Sequence, residues 1–261
     1  MDAQIEPLSV SENTLAARHM ERISEIPGLE RTLIVMDRGY SSAALMEQAE
    51  SKGLKFLVRL RKKFNVDIDA FSCGIHDFEL LAEDGRKLAV KVIKFELPGG
   101  EIETLVTNLS DERMGIKAFK ELYFLRWQIE TKYGEVKLKI EVENFSGRTE
   151  AAIRQDFYIT VMLSNIVSIA THEAQPVVDQ ARAGKENKHR YKVNVNHAIG
   201  TFKDRFIQAL LESDAKTRGE KTDEIIRLLC EHVVPERKGR TVLRNPSPRK
   251  ARFHHNMKSN C

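Results

Sequence analysis

The sequence predicts an α/β fold: a mixed sheet flanked by helices, with a β-rich stretch in its middle and a helical, basic C-terminal region. Three observations carry this. The β-branched run Thr32-Leu33-Ile34-Val35-Met36, a helix pattern and the apolar run Leu54 to Leu60 form a strand–helix–strand unit, whose strands are expected to be parallel neighbours. A partly alternating stretch, Lys87 to Leu97, turns at Pro98-Gly99-Gly100 and returns from Ile102 to Leu109. Apolar residues at spacings of three and four then mark two helices, from Ala118 to Ile140 and from about Glu150 to His172.

In chain order, a helix is expected over about Ser11 to Ile26. The first strand ends in Asp37-Arg38-Gly39-Tyr40, so it delivers a carboxylate at its carboxyl end, followed by a tight glycine turn. Ligands of open α/β sheets gather at that end of the strands; a lone Asp there can equally cap a turn. The next helix runs from Ser41 to Ser51, with Ser41 or Ser42 as cap and Gly53 as stop. On the second strand Arg59 and Arg61 share one face, opposite Val58 and Leu60. They form either a basic strand edge for a nucleic-acid backbone or a solubilising, half-exposed strand. Cys73-Gly-Ile-His76 has a metal-like spacing without a second pair, so a loop is expected rather than zinc.

The helix from Ala118 to Ile140 holds the most informative pattern. Tyr123, Arg126, Glu130 and Lys137 fall within one arc about 60° wide at the helical advance of about 100° per residue. Phe119 lies in the same arc. Two cations, an acid and a phenol on one stripe suit a phosphate-rich ligand with a metal ion; the plain alternative is a solvated face whose Arg126–Glu130 pair is a surface salt bridge. Ala118, Leu122, Leu125, Ile129, Tyr133, Val136 and Ile140 form the expected packing stripe, which places Glu130 at the rim of a core. Trp127 reads as stacking on a base or packing beneath the β-rich stretch, with packing the favoured reading. Gly134 reads as a close approach or a tolerated flaw.

Beyond a loop at Asn144 to Thr149, the helix from Glu150 is expected to cover one face of the sheet. From Ala174 the chain changes character: a basic segment, Lys185 to Lys192, reads as a linker or DNA-facing loop, and helices follow at about Asn196–Leu211 and Thr222–His232. The tail carries Arg237, Lys238, Arg240, Arg244, Arg249, Lys250, Arg252 and Lys258 against Glu236 alone, with Pro246 and Pro248 opposing helix. It reads as a nucleic-acid footprint, with a solubilising tail as the alternative.

The 261 residues, 41% hydrophobic, suffice for one large or two small cores, and a charged share of 31% makes for densely charged surfaces. The net charge of +4 is unevenly spread. No signal-peptide pattern and no apolar run near the roughly 18 residues of a membrane span is evident. The three cysteines, odd in number and far apart, argue for a reducing compartment and against a disulfide framework.

Asp37-Arg38-Gly39-Tyr40, Leu105-Val106-Thr107-Asn108-Leu109, Arg126-Trp127-x-Ile129-Glu130, and Tyr123, Arg126, Glu130 and Lys137 at their full spacing resemble the DDE transposases of bacterial insertion sequences, in the insertion sequence four group with the YREK signature. The resemblance runs from about residue 10 to 172, with a weaker echo in the basic tail. It implies an RNase H-like core in which three carboxylates hold two divalent metals, Mg²⁺ or Mn²⁺, at an end of double-stranded DNA. Asp37 would be the second acid and Glu130 the third, both metal ligands and catalytic; Tyr123, Arg126 and Lys137 would contact DNA phosphates. Hard oxygen ligands suit such ions, and two metals about 4 Å apart suit in-line displacement at phosphorus.

The expected organisation is a partial RNase H-like core at 1–62, a β-rich insertion at 63–112, core helices bearing the signature at 113–173, and a helical, basic region at 174–261. The resemblance further implies a homodimer on DNA and a bacterial cytoplasmic, nucleoid-associated location. Only Asp2 precedes Asp37, in a stretch without a strand pattern. The first acid, the opening strands and an N-terminal DNA-binding region are therefore expected to lie outside this chain, leaving it little cleavage activity alone. Two function classes stay open: the catalytic part of a transposase, or a non-catalytic DNA-binding remnant or inhibitor.

Overall fold

The computed structural model describes residues 3–28, 32–82, 85–186 and 188–236. The basic tail from Arg237 lies outside the described residues. The chain divides into two compact units, Gln4–Thr131 and Lys132–Cys261.

The first unit is built on the expected strand–helix–strand. Helix α1 (Glu12–Ser24) starts at Ser11, whose hydroxyl accepts from the Thr14 N–H. Strand β1 (Leu33–Met36) leads through a 3₁₀ turn to α2 (Ala43–Ser51), capped by Ser42, and then β2 (Lys55–Arg59). Gly53, at φ +70°, ends α2. The N–H groups of Gly53 and Leu54 reach back to the carbonyls of Glu50 and Ala49, both at 2.9 Å, closing the last turn. β1 and β2 pair in parallel, with Val35 opposite Leu57.

A short helix, α3 (Val66–Ala70), precedes β3 (Gly74–Leu81), β4 (Lys87–Glu96) and β5 (Ile102–Thr107). The sheet order is β1-β2-β5-β4-β3, all antiparallel after the β1–β2 pair. The expected hairpin is present and continues the core sheet, because β5 pairs with β2. Cys73-Gly-Ile-His76 leads into β3 instead of forming a loop, and the His76 ring stacks on Phe71 with centroids 4.6 Å apart.

Both faces of the sheet are covered. On one, Phe56, Val58, Val92 and Val106 meet Met20 of α1 and Leu45, Met46 and Ala49 of α2. On the other, Leu57, Ile93, Phe95 and Leu105 meet Phe119 and Tyr123 of α4 (Ile116–Phe124). Covering on both faces explains why Phe56, Leu57 and Val58 are all buried in succession.

The Thr107–Asn108 pair pins β2. Thr107 Oγ1 donates to the Phe56 carbonyl at 2.5 Å, and Asn108 Oδ1 accepts from the Phe56 N–H at 2.9 Å. Asn108 Nδ2 donates to the Leu54 carbonyl at 3.0 Å and to the Glu50 carboxylate. Two side chains thus continue the β2–β5 bonding beyond the ladder.

Four expectations are corrected. The helix from Ala118 to Ile140 is two helices, α4 and α5 (Trp127–Leu138). At the joint, the N–H groups of Leu125, Arg126, Gln128 and Ile129 each bond the carbonyl three residues back, at 3.1 Å. A 3₁₀ turn advances about 120° per residue, so the wheel phase slips there. The expected packing stripe holds only in part: Val136 and Ile140 are buried and Leu122 packs on the sheet, but Leu125 and Tyr133 are exposed, while Phe119 and Tyr123 of the polar arc are buried. Trp127 is likewise exposed, not packed away. Finally, β2 is an interior strand, so Arg59 does not lie on a sheet edge.

The second unit is helical. α6 (Glu150–Arg182) is 33 residues long and continues through Pro176, past the expected end near His172. Its Val167, Ala170, Ala174 and Val178 pack with Ala198, Ile199 and Phe202 of α7 (Val195–Leu210) and Ile225 and Leu229 of α8 (Ala215–Glu231). These residues of α6 therefore build a helical core, where a cover for the sheet was expected. Strands β6 (Tyr191–Val193) and β7 (Val233–Pro235) pair beside it. Arg190, in the segment read as linker or loop, is held by Asp179 at 2.7 Å.

Candidate active site

Strand alternation sets the site. Leu33 and Val35 pack toward the α4 face of the sheet, and Asp37 follows two residues on, at the end of β1. Its Oδ1 accepts the Gly39 N–H at 2.8 Å, so Asp37 caps the 3₁₀ turn as well as ending the strand. A Cβ at position 39 would lie 3.0 Å from that oxygen, which is why glycine follows so closely. The Ser41 hydroxyl reaches the Arg38 and Arg59 carbonyls and accepts the Arg61 N–H, tying the ends of β1 and β2 together.

Arg126 comes from the 3₁₀ joint on the same side of the sheet. Its Nη1 lies 3.2 Å from Glu130 Oε1 and 4.0 Å from Asp37 Oδ2. The two carboxylate oxygens are therefore no more than 7.2 Å apart, the sum of those separations. The acids remain open, with side chains 43% and 53% exposed for Asp37 and Glu130, whereas Arg126 is only 14% exposed. Two acids distant in sequence thus converge on one cationic nitrogen.

The wall behind them is polar and incompletely satisfied. Tyr123 is 6% exposed, and its hydroxyl is buried without a hydrogen-bond partner, as is Arg126 Nε. Burial raises the Tyr123 phenol above its ordinary range, against the pull of Arg126 and Arg59, so the hydroxyl keeps its proton and remains a donor. Burial works to lower the Arg126 pKa, but the Glu130 hydrogen bond and the neighbouring Tyr123 and Asp37 outweigh it, and the guanidinium stays charged. Arg59 Nε pairs with Glu103 Oε2 at 3.1 Å, and Glu103 is buried.

The structure brings Asp37, Tyr123, Arg126 and Glu130 together, with Arg59 behind them. Arg61 is exposed just past β2. Lys137 belongs to the second unit, where its Nζ pairs with Glu143 at 2.8 Å. Glu103 escaped the sequence analysis. Its signal is an acid alternating with Leu105 and Thr107 on the buried face of β5, which demands a cationic partner.

The model of the transposase DDE domain matches residues 1–166, well over half of the chain. The chain belongs to the transposase DDE domain family. A protein of Synechocystis sp. (strain PCC 6803), named as the candidate transposase of insertion sequence element IS4SA, is 27% identical over 170 residues. That match takes in 62% of this chain and 48% of the relative, so the chain spans about half the length of the curated relative it matches. The resemblance to insertion sequence four transposases agrees with both findings.

A DDE domain implies divalent metal. The Asp37 and Glu130 carboxylates are hard oxygen donors already converging on a positive charge, so they fit such an ion as two of its ligands. Among the described residues no cluster of three or more His, Cys, Asp or Glu is gathered for a metal. No helix among them is long and apolar enough to cross a membrane.

Proposed function

We propose that this chain carries part of the catalytic centre of an insertion-sequence transposase, which cleaves DNA at the element's ends and joins it to a target. The convergence of Asp37 and Glu130 on one cationic nitrogen, beside the partnerless Tyr123 hydroxyl, carries the reading. Asp37 and Glu130 hold Mg²⁺ or Mn²⁺. The bound metal would activate a water or 3′-hydroxyl and stabilise the oxygen leaving phosphorus. Tyr123 donates its hydroxyl to a phosphate oxygen of double-stranded DNA and Arg126 supplies charge beside it; Lys137, in the second unit, also contacts DNA phosphate. Arg61 extends that surface, while Arg59, held by Glu103, contributes field from behind. Two copies bring two element ends together in the bacterial cytoplasm, at the nucleoid.

Glu130→Gln tests the division of labour. Binding to a duplex bearing an element end, read by fluorescence anisotropy, should stay within about twofold while Mn²⁺ affinity falls. A tenfold loss of DNA affinity, roughly 1.4 kcal/mol, would place Glu130 in the DNA contact set instead.

One observation favours a second reading, a DNA-binding protein without cleavage: two acids, not three, converge among the described residues. Mn²⁺ titration of the purified chain separates the two. Mn²⁺ binding that Asp37→Asn and Glu130→Gln each weaken supports part of a catalytic centre; duplex binding with no Mn²⁺ affinity supports the second reading.

A further inference from the structure

We infer that Arg126 is a built-in competitor for the acid pair, bridging Asp37 and Glu130 until a divalent cation displaces it. The inference rests on the reading of those acids as metal ligands.

The guanidinium occupies the place a shared cation needs, with Nη1 at 3.2 Å from one carboxylate and 4.0 Å from the other. Apart from the two acids, its described partners are the Tyr123 and Trp127 rings. Its Nε is buried without a partner, and both carboxylates are about half-exposed, so a cation from solvent can reach them beside the guanidinium. The guanidinium already lies against two rings while it touches the acids, its carbon 5.0 Å from the Trp127 ring centroid and 5.9 Å from that of Tyr123, so it can leave the carboxylates and keep an aromatic face. Arg126 sits at the 3₁₀ joint, one turn before Glu130, so a side-chain rotation moves the charge without unwinding α5.

Two arrangements exclude one another. In the first, the guanidinium neutralises both acids. In the second, a divalent ion takes the acids and repels Arg126, which leaves the carboxylates, keeps its place over the aromatic rings and turns toward an anionic ligand. Cation binding by the acids and anion binding by Arg126 are then coupled, each favouring the other equally.

The test is Mn²⁺ titration of the full chain followed by electron paramagnetic resonance. Arg126→Gln and Arg126→Ala should each tighten Mn²⁺ binding on the order of tenfold, since they remove the like charge that the metal must otherwise displace. Glu130→Gln should weaken it on either background. A second measurement uses the wild-type chain alone: the Arg126 Nε resonance should move as Mg²⁺ is added. Unchanged or weaker Mn²⁺ binding in the Arg126 variants, or a fixed Nε resonance, overturns the competitor. If Glu130→Gln leaves Mn²⁺ binding untouched, the metal reading of the acids fails. If Glu130→Gln weakens binding and the Arg126 variants do not tighten it, only the competitor fails.

Discussion

Removing the Asn108 side chain tests how the sheet beneath the acids is held. Asn108→Ala leaves the Phe56 N–H and the Leu54 carbonyl without their side-chain partner and frees the Glu50 carboxylate. Phe56 and Leu54 are both buried, so water is poorly placed to substitute. An orphaned buried backbone group costs roughly 1–3 kcal/mol, so two should cost about 3 kcal/mol or more together. At a urea slope near 1.5 kcal/mol/M, the first unit's midpoint should fall by about 2 M. Because the chain has two units, the readout should be local, and exchange of the Phe56 amide by NMR supplies it: protection should drop by roughly a hundredfold. The pinning role is refuted if Phe56 protection holds within about threefold, or if the midpoint moves by less than about 0.5 M.

Three further outcomes are expected. Gly134→Ala should stabilise α5 by about 0.5–1 kcal/mol in thermal unfolding, because the position is inside a helix and a Cβ there meets nothing within 4 Å. Lys137→Ala should weaken duplex binding and flatten the slope of log affinity against log salt by about one unit; an unchanged slope removes Lys137 from the DNA contacts. Burial, and then the His232 ring 3.7 Å away, depress His197 below its usual 6.5, so the unfolded chain takes up the proton first. Stability of the second unit should therefore fall as pH drops below about 6.5 toward the lowered folded value, and His197→Gln should flatten that dependence in urea titrations at pH 7.5 and 5.5.

Much of this architecture is written locally in the chain. The β1–α2–β2 unit is legible because a strand buried on both faces reads as a continuous apolar run, and because Gly53 marks a helix end. Pro98-Gly99-Gly100 marks the β4–β5 turn just as plainly. β3 was missed since Ile75 and Leu81 lie on its exposed side and blur the alternation. Strand order is non-local, so nothing near Arg59 announces that β5 pairs beside it. The break at Arg126 carries no glycine or proline; it arises where docking of Phe119 and Tyr123 on the sheet fixes α4. The meeting of Asp37 with Arg126 and Glu130 followed from the resemblance and from the strand end, whereas the Glu103–Arg59 wall needed coordinates.

Helix α5 buries a single residue, Val136, along its twelve. Asp37, by contrast, follows a strand bonded to one of the most enclosed segments of the fold. The two acids are thus mounted on supports of unequal stiffness. On the proposed reading, ordering the looser one about an incoming ligand draws on the ligand's own binding energy, so a poorly matched duplex would leave Glu130 out of place.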